Sequence, residues 1–406
     1  MTIETHESGN AVNAMQPTAE CSSPIPLSKV GVTYGGLSGK TKTHFGHGKA
    51  RYVTFLNVLE NTSVDLAQLD YVAVGPGETQ NAVIKGDILF NGTSETPEDL
   101  AYGCVLEEDV PNLFLNSFCF GFRVRDQEKH HPKFLAYWFR GPAGRDLMSA
   151  LAQGATRYNM SKRQFLKLEL AVPDYDEQSA IAEALSDVDG LIGALEKLIA
   201  KKRAIKQAAM QQLLTGKTRL PGFTDNWKPR RLSEMLVYER PDKYIVTNTD
   251  YAVTGDVPVL TANKGFILGY TYETHGICHN LPVIVFDDFT TDCKYADFPF
   301  KVKSSAIKLL RPINDRVSLR YMFGRMQLIR FPIGEHKRYY ISEYQNIELP
   351  VPDHDEQQAI AAVLDDMDRE ITALEQRREK TQKIKQGMMQ QLLTGRVRLV
   401  NGEATA

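Results

Sequence analysis

The chain has 406 residues, 42% hydrophobic and 24% charged, the composition of an ordinary soluble protein with room for two or three domains. A formal net charge of −2 leaves no global basic field, so any polyanionic partner must be met by local patches. No run approaches the roughly 18 apolar residues of a membrane span, and the five cysteines (Cys21, Cys104, Cys119, Cys278, Cys293) are scattered, odd in number and free of CxxC pairs, which argues against a disulfide framework and for a reducing cytoplasm.

In chain order, residues 1–24 are polar, carry Glu4, Glu7 and Glu20 without an apolar run, and are expected to be a disordered tail rather than a signal peptide. Residues 25–171 alternate β-rich runs (ARYVTFLNVL, DYVAVG, NAVIKGDILFNG, FCFGFRVR) with Gly- and Asn-containing turns, followed by a helical stretch, HPKFLAYWFRGPAGRDLMSALAQ. That pattern predicts a compact α/β domain with a mixed sheet. Its basic residues gather in GLSGKTKTHFGHGKAR, Gly36–Arg51, which contains no acid. Flexible basic loops of this kind suit phosphate and groove contacts.

Residues 172–220 predict one long helix. Pro173 precedes it, Asp174 and Glu177 match a capping box, apolar residues step by four and three (Ile181, Leu185, Val188, Ile192, Leu195, Ile199), and Gly216 ends the run. A second block, residues 221–350, resembles the first in kind but not in letters: DVPVLTANKGFILGYT, LPVIVFDD, SAIKLLRP and a helix-like SLRYMFGRMQLI. Lys301–Arg338 holds ten basic residues against Asp315 and Glu335. Residues 351–400 then repeat the helix, with Asp353, Glu356 and a seam of Ile360, Leu364, Met367, Ile371 and Leu374, before a short tail at 401–406.

The two helical segments align without a gap at an offset of 179, agree at 29 of 49 positions, and both contain MQQLLTG, Met210–Gly216 and Met389–Gly395. Weaker echoes precede them: RYNMSKRQ from Arg157 and RYYISEYQ from Arg338. Two near-identical helices of about 60 Å read as an antiparallel coiled-coil pair with a pseudo-two-fold axis, on which the same partner can dock twice.

Catalytic motifs are weak. GGLSGKT from Gly35 fails as a nucleotide loop because the required spacing puts Tyr34 where glycine is needed, and the acidic strand VIVFDD lies in the other block. His275 and His279 have metal-ligand spacing but sit in a turn-rich stretch. Asp287, Asp288, Glu335 and Lys337 could in principle build a nuclease centre, or Asp287, Asp288 and Thr290 a turn near DNA; no adenine-methyltransferase, serine or cysteine nucleophile motif is present.

Two dissimilar blocks, each followed by a helix opening P-D-x-D-E-Q-x-A-I-A and closing M-Q-Q-L-L-T-G, resemble the specificity subunit of type I restriction–modification enzymes over residues 25–400. PVLTANKGFILGYTYETHGI and LPVIVFDDFTT are similar to recognition domains of the type IC branch. The resemblance implies two target recognition domains, each reading half of a bipartite double-stranded DNA site. It further implies helices that set the unread gap and dock two adenine methyltransferase subunits, with restriction subunits joining the complex. Such a chain is non-catalytic, with S-adenosylmethionine, ATP and Mg²⁺ on partner subunits, works in the cytoplasm at the nucleoid, and needs no membrane. No tandem repeat follows Thr215-Gly216, which implies a shorter gap than in repeat-bearing members. A stand-alone DNA-binding regulator, an enzyme and a DNA-free scaffold are the rivals.

Loop residues able to grip bases or phosphates are the expected DNA contacts: Lys40, Lys42, His44, Asn91, Thr93, Arg157 and Tyr158 in the first block, and Thr261, Asn263, Lys264, Lys303, Ser304, Lys337, Arg338 and Tyr339 in the second. Polar residues recurring at the helix ends are the expected partner surface: Glu177, Gln178, Gln211 and Gln212, with Glu356, Gln357, Gln390 and Gln391. For these, capping and helix packing remain the competing reading.

Overall fold

The computed structural model describes residues 23–262, 265–334 and 337–400. The chain forms two compact units that do not follow the linear segments: one runs to Ala194 and resumes at Arg378, and the other is Leu195–Arg377. Unit 1 contains β1 (Gly31–Gly35), β2 (Phe45–Val53), β3 (Leu69–Val72), β4 (Ile88–Asn91), β5 (Gly103–Val105), β6 (Leu113–Leu115), β7 (Cys119–Val124) and helix α1 (Pro132–Arg140), and it takes the first half of helix α2 (Tyr175–Leu213). Unit 2 takes the second half of α2, then β8 (Leu236–Glu239), β9 (Val257–Leu260), β10 (Ile267–Thr271), β11 (Val283–Asp287), β12 (Cys293–Ala296), β13 (Lys301–Val302), β14 (Ile307–Pro312) and α3 (Leu319–Gln327). Helix α4 (His354–Leu392) begins in unit 2 and ends in unit 1.

Each unit pairs its strands in the same way. The larger sheet is antiparallel throughout, ordered β1-β7-β4-β5 in unit 1 and β8-β14-β11-β12 in unit 2. The smaller has three strands, β3-β2-β6 and β10-β9-β13, with one parallel pairing in each. The expected single mixed sheet is therefore two sheets, with the parallel pairing confined to the smaller. Equivalent strands carry equivalent cores. Phe90 of β4 packs against Phe120, Phe139 and Phe165 at 5.0–5.1 Å between ring centroids, while Phe286 of β11 meets Tyr340 and Tyr344 at 5.2 and 4.8 Å.

Both long helices have 39 residues, and their seams are buried at Ile181, Leu185, Leu195 and Ile199 and at Ile360, Leu364 and Ile371. The flanking ion pairs run antiparallel: Lys202–Glu370 at 2.6 Å and Lys206–Asp368 at 2.5 Å in unit 2, and Lys385–Asp189 at 2.6 Å in unit 1. Among the described residues no helix is long and apolar enough to cross a membrane.

Much of the second basic cluster is internal. Lys301 is fully buried and holds Glu273 at 2.6 Å and the His275 carbonyl at 2.8 Å. Lys308 is buried against Asp288 at 3.3 Å, Arg311 binds Glu239 at 3.1 Å, and Arg320 reaches Asp365 and Asp368 on α4. Lys301 holds the Glu273 carboxyl down to about 2, against an ordinary 4.5. A carboxylate depressed on folding contributes stability that is full above its unfolded pKa and lost as pH falls through the folded one. Resistance to denaturant, followed from pH 5 to pH 2, is therefore expected to fall, and Lys301→Met is expected to flatten that fall.

Candidate nucleic-acid interface and partner surface

The duplicated helix ends do internal work. Asp174 and Asp353 cap α2 and α4, each accepting a 2.9 Å hydrogen bond from the amide three residues on. The capping glutamates do not reach back as a capping box would. Glu177 accepts from the Leu399 and Val400 amides at 2.9 and 2.7 Å, with Arg398 beside it at 3.8 Å. Glu356 accepts a bidentate pair from Arg219 at 2.5 and 2.6 Å and the Trp227 indole N–H at 2.9 Å. Arg219 and Arg398 stand at equivalent places in the repeat, just past Gly216 and Gly395, whose φ values of 71° and 70° turn the chain back.

The neighbouring glutamines latch the recognition blocks. Gln178 accepts from the His131 amide, at the N-cap of α1, at 2.9 Å and donates to the Pro173 carbonyl at 2.8 Å. Gln357 accepts from the Ser318 amide, at the N-cap of α3, at 3.0 Å and donates to the Pro352 carbonyl at 3.0 Å. All four residues are 1–2% exposed. The docking role expected for Glu177, Gln178, Glu356 and Gln357 is thereby corrected: they recur because the same latch is built twice. The two leucines of MQQLLTG are buried as well. Leu392 and Leu393 enter the core of unit 1, and Leu213 and Leu214 that of unit 2. Gln211, Gln212, Gln390 and Gln391 are exposed.

The expected DNA contacts divide. Lys40 has a side chain only 4% exposed, held by Glu78 at 2.6 Å and the Ala73 carbonyl at 2.7 Å; this pairing pulls the Glu78 carboxyl down to about 2. Asn91 is fully buried, donates to the Thr93 and Asp99 carbonyls and accepts from the Tyr102 amide, so it shapes a loop from within. Tyr339 is 3% exposed, and its hydroxyl takes the Gly334 amide. These three are corrected to structural residues. His44 is half-buried and accepts from the Thr41 amide at 3.1 Å; Thr93, Tyr158, Thr261 and Ser304 are also half-buried, Tyr158 pairing across from Ser94. Lys42, Arg157, Lys303, Lys337 and Arg338 are exposed, Lys337 paired with Glu343. Asn263, Lys264 and Glu335 lie outside the described residues.

Two residues escaped the sequence reading. Phe118, 52% exposed, lies beneath the Arg157 guanidinium at 5.4 Å; Phe289, 37% exposed, lies beneath that of Arg338 at 5.6 Å. Each phenylalanine amide donates at 2.9 Å to a side chain two residues earlier, Asn116 or Asp287. The signal was Asx-x-Phe at a loop tip, which a search for basic residues passes over.

Of the acids expected for a nuclease centre, Asp287 and Asp288 are structural. Asp287 also caps the Thr290 amide at 3.0 Å, and Asp288 accepts the Tyr340 amide at 2.8 Å. Burial pushes the Cys104 and Cys293 thiols up to about 12, far from a reactive thiolate. Among the described residues no group of three or more His, Cys, Asp or Glu could hold a metal ion.

Residues 41–207 and 224–386 match the family described as type I restriction modification DNA specificity domain. The type I restriction enzyme EcoR124I/EcoR124II specificity subunit of Escherichia coli is 46% identical over 138 residues, 33% of this chain, so the match spans only 34% of that subunit. A putative type I restriction enzyme MjaX specificity subunit of Methanocaldococcus jannaschii is 24% identical over 374 residues, 86% of this chain and 87% of its own. In fold, the crystal structure of the type I restriction–modification S subunit from M. genitalium aligns over 93% of this chain and 98% of its own with a TM-score of 0.60 at 15% identity.

Glu356→Ala removes the carboxylate that Arg219 and Trp227 share, leaving Arg219 only the Asp225 carbonyl at 2.9 Å. It is expected to destabilise the protein by about 2–3 kcal/mol, below the 3–5 typical of a fully buried pair because the Arg219 side chain is 26% exposed. Denaturant unfolding measures this; unchanged stability would remove the latch role.

Proposed function

Because the chain belongs to the type I restriction–modification DNA specificity family, we propose that it is the non-catalytic address subunit of such an enzyme, with each unit reading one half of a bipartite double-stranded DNA target. The observation that carries this reading is the repeated latch. Two units with the same strand order, each closed by a Glu–Gln pair and an arginine from the turn that follows the other helix, form two equivalent readers rather than one domain with an appendage. Their recognition blocks differ in sequence, as two half-sites of different sequence require.

In this reading α2 and α4 set the unread gap, and two adenine methyltransferase subunits dock at the exposed glutamines, Gln211 and Gln212 on one copy and Gln390 and Gln391 on the other. S-adenosylmethionine, ATP and Mg²⁺ act on those methyltransferases and on the restriction subunits that join them. Lys42, Lys303 and the half-buried loop residues supply phosphate contacts, the salt-dependent part of the affinity. The complex works at the nucleoid in the cytoplasm.

Single-molecule sequencing of methylated DNA, in cells carrying the partner methyltransferase with and without this chain, tests the proposal. The expected result is a split motif with one methylated adenine in each half, present only with the chain. Exchange of residues 226–349 for those of another recognition block is expected to alter one half alone. No chain-dependent methylation, with the methyltransferase demonstrably expressed, would overturn it.

A further inference from the structure

We propose that Arg157 on Phe118 and Arg338 on Phe289 are the base-reading elements of the two units, each ring holding a guanidinium plane so that its N–H fork grips the acceptor edge of a guanine. The inference rests on the reading above, that each unit faces one half-site.

The two stacks arise in different ways at the same end of the larger sheet. In unit 1 the edge is fixed by Gly92 N–H donating to the Phe118 carbonyl at 2.8 Å and Met160 N–H donating to Gly92 at 3.0 Å. In unit 2 the corresponding bonds are Asp288 N–H to Ala306 at 2.9 Å and Tyr339 N–H to Asp288 at 3.0 Å. Phe118 precedes β7, the partner of β4, whereas Phe289 follows β11, so the ring comes from opposite strands of the equivalent pair. In both units the arginine comes from the segment returning toward a long helix. The same stack built from two loops points to a shared demand on that end of the sheet.

The chemistry of that demand is specific. A phosphate accepts a cation from many directions and gains little from a fixed plane, whereas guanine O6 and N7 form a flat acceptor pair that rewards one. A phenyl face 5.4 or 5.6 Å from the guanidinium carbon draws the cation over it and narrows where the charge sits. An Asx turn pins each ring in turn. Among the described residues neither guanidinium has a carboxylate partner, in contrast to Arg123, Arg219, Arg311 and Arg320, each of which is bound to an acid.

The test uses the full chain with its methyltransferase in cells and reads the methylated motif. Arg157→Lys keeps the charge and removes the fork; it is expected to lower the preference for guanine at one position of one half-site roughly tenfold. Phe118→Leu is expected to weaken the same position, and Arg338→Lys and Phe289→Leu one position of the other half. Both arginines and both rings are exposed, so melting temperatures should match the unsubstituted chain. An unchanged motif with Arg157→Ala and Arg338→Ala, a uniform loss at all positions, or a half-site without guanine on either strand would overturn the assignment. If the unsubstituted chain gives no split motif, the parent reading fails, not the stacks alone.

Discussion

A buried carboxylate at the first turn of each long helix holds the arrangement together. Glu177 and Glu356 each gather donors from the chain that has just left the opposite helix: backbone amides and Arg398 in one unit, Arg219 and Trp227 in the other. A carboxylate so enclosed is unfavourable without its donors, and the donors arrive only if the glycine turn, the arginine and the antiparallel partner are all in place. The interaction therefore selects one helix register as well as stabilising it. The adjacent glutamine passes that register to the recognition block, because it holds the N-cap of α1 or α3 and with it the helix that packs on the larger sheet.

This accounts for which parts of the repeat are kept alike. Leu213–Leu214 and Leu392–Leu393 seat in different blocks, yet meet similar floors: Gly324 lies against Leu214 and Gly141 against Leu393, where a side chain in place of the glycine would require the leucine to shift. The blocks can vary over their loops provided that floor, the N-cap amide and the aromatic pivot at Phe90 or Phe286 persist. Variation and constancy are thus separated by depth within each unit.

The long helices were legible from their letters. Seam periodicity, capping aspartates and terminal glycines are local signals, and each appears where local physics puts it. The fate of the acidic and basic residues was not legible. Glu177 and Glu356 read as exposed because a glutamate at N3 ordinarily caps its own helix, and their true donors lie more than a hundred residues away in sequence. Lys301, Lys308 and Arg311 read as a cationic surface because counting charges ignores burial; they pair with Glu273 and Asp288, just past the ends of other strands, and with Glu239 on one. Asn91 ends a strand that is buried throughout and Tyr339 follows the exposed Arg338, and only their partners elsewhere in the loops, Asp99 and Tyr102 for one and Gly334 for the other, show them to be internal. Arg157 and Arg338 were found through the echo in sequence, but the rings beneath them needed coordinates.

The division of α2 and α4 between the units bears on how the protein is made. The core of unit 1 includes Leu392 and Leu393, which are synthesised after the whole of unit 2. Until they emerge from the ribosome, the apolar cluster they share with the first block lacks two of its members, and the floor at Gly141 is open. Folding is consequently non-local at its last step, with a long loop to close. A nascent chain in this condition is exposed to chaperones and proteases for the time it takes to translate unit 2. Premature termination inside α4 therefore leaves unit 1, the first to be made, as the one without a complete interior.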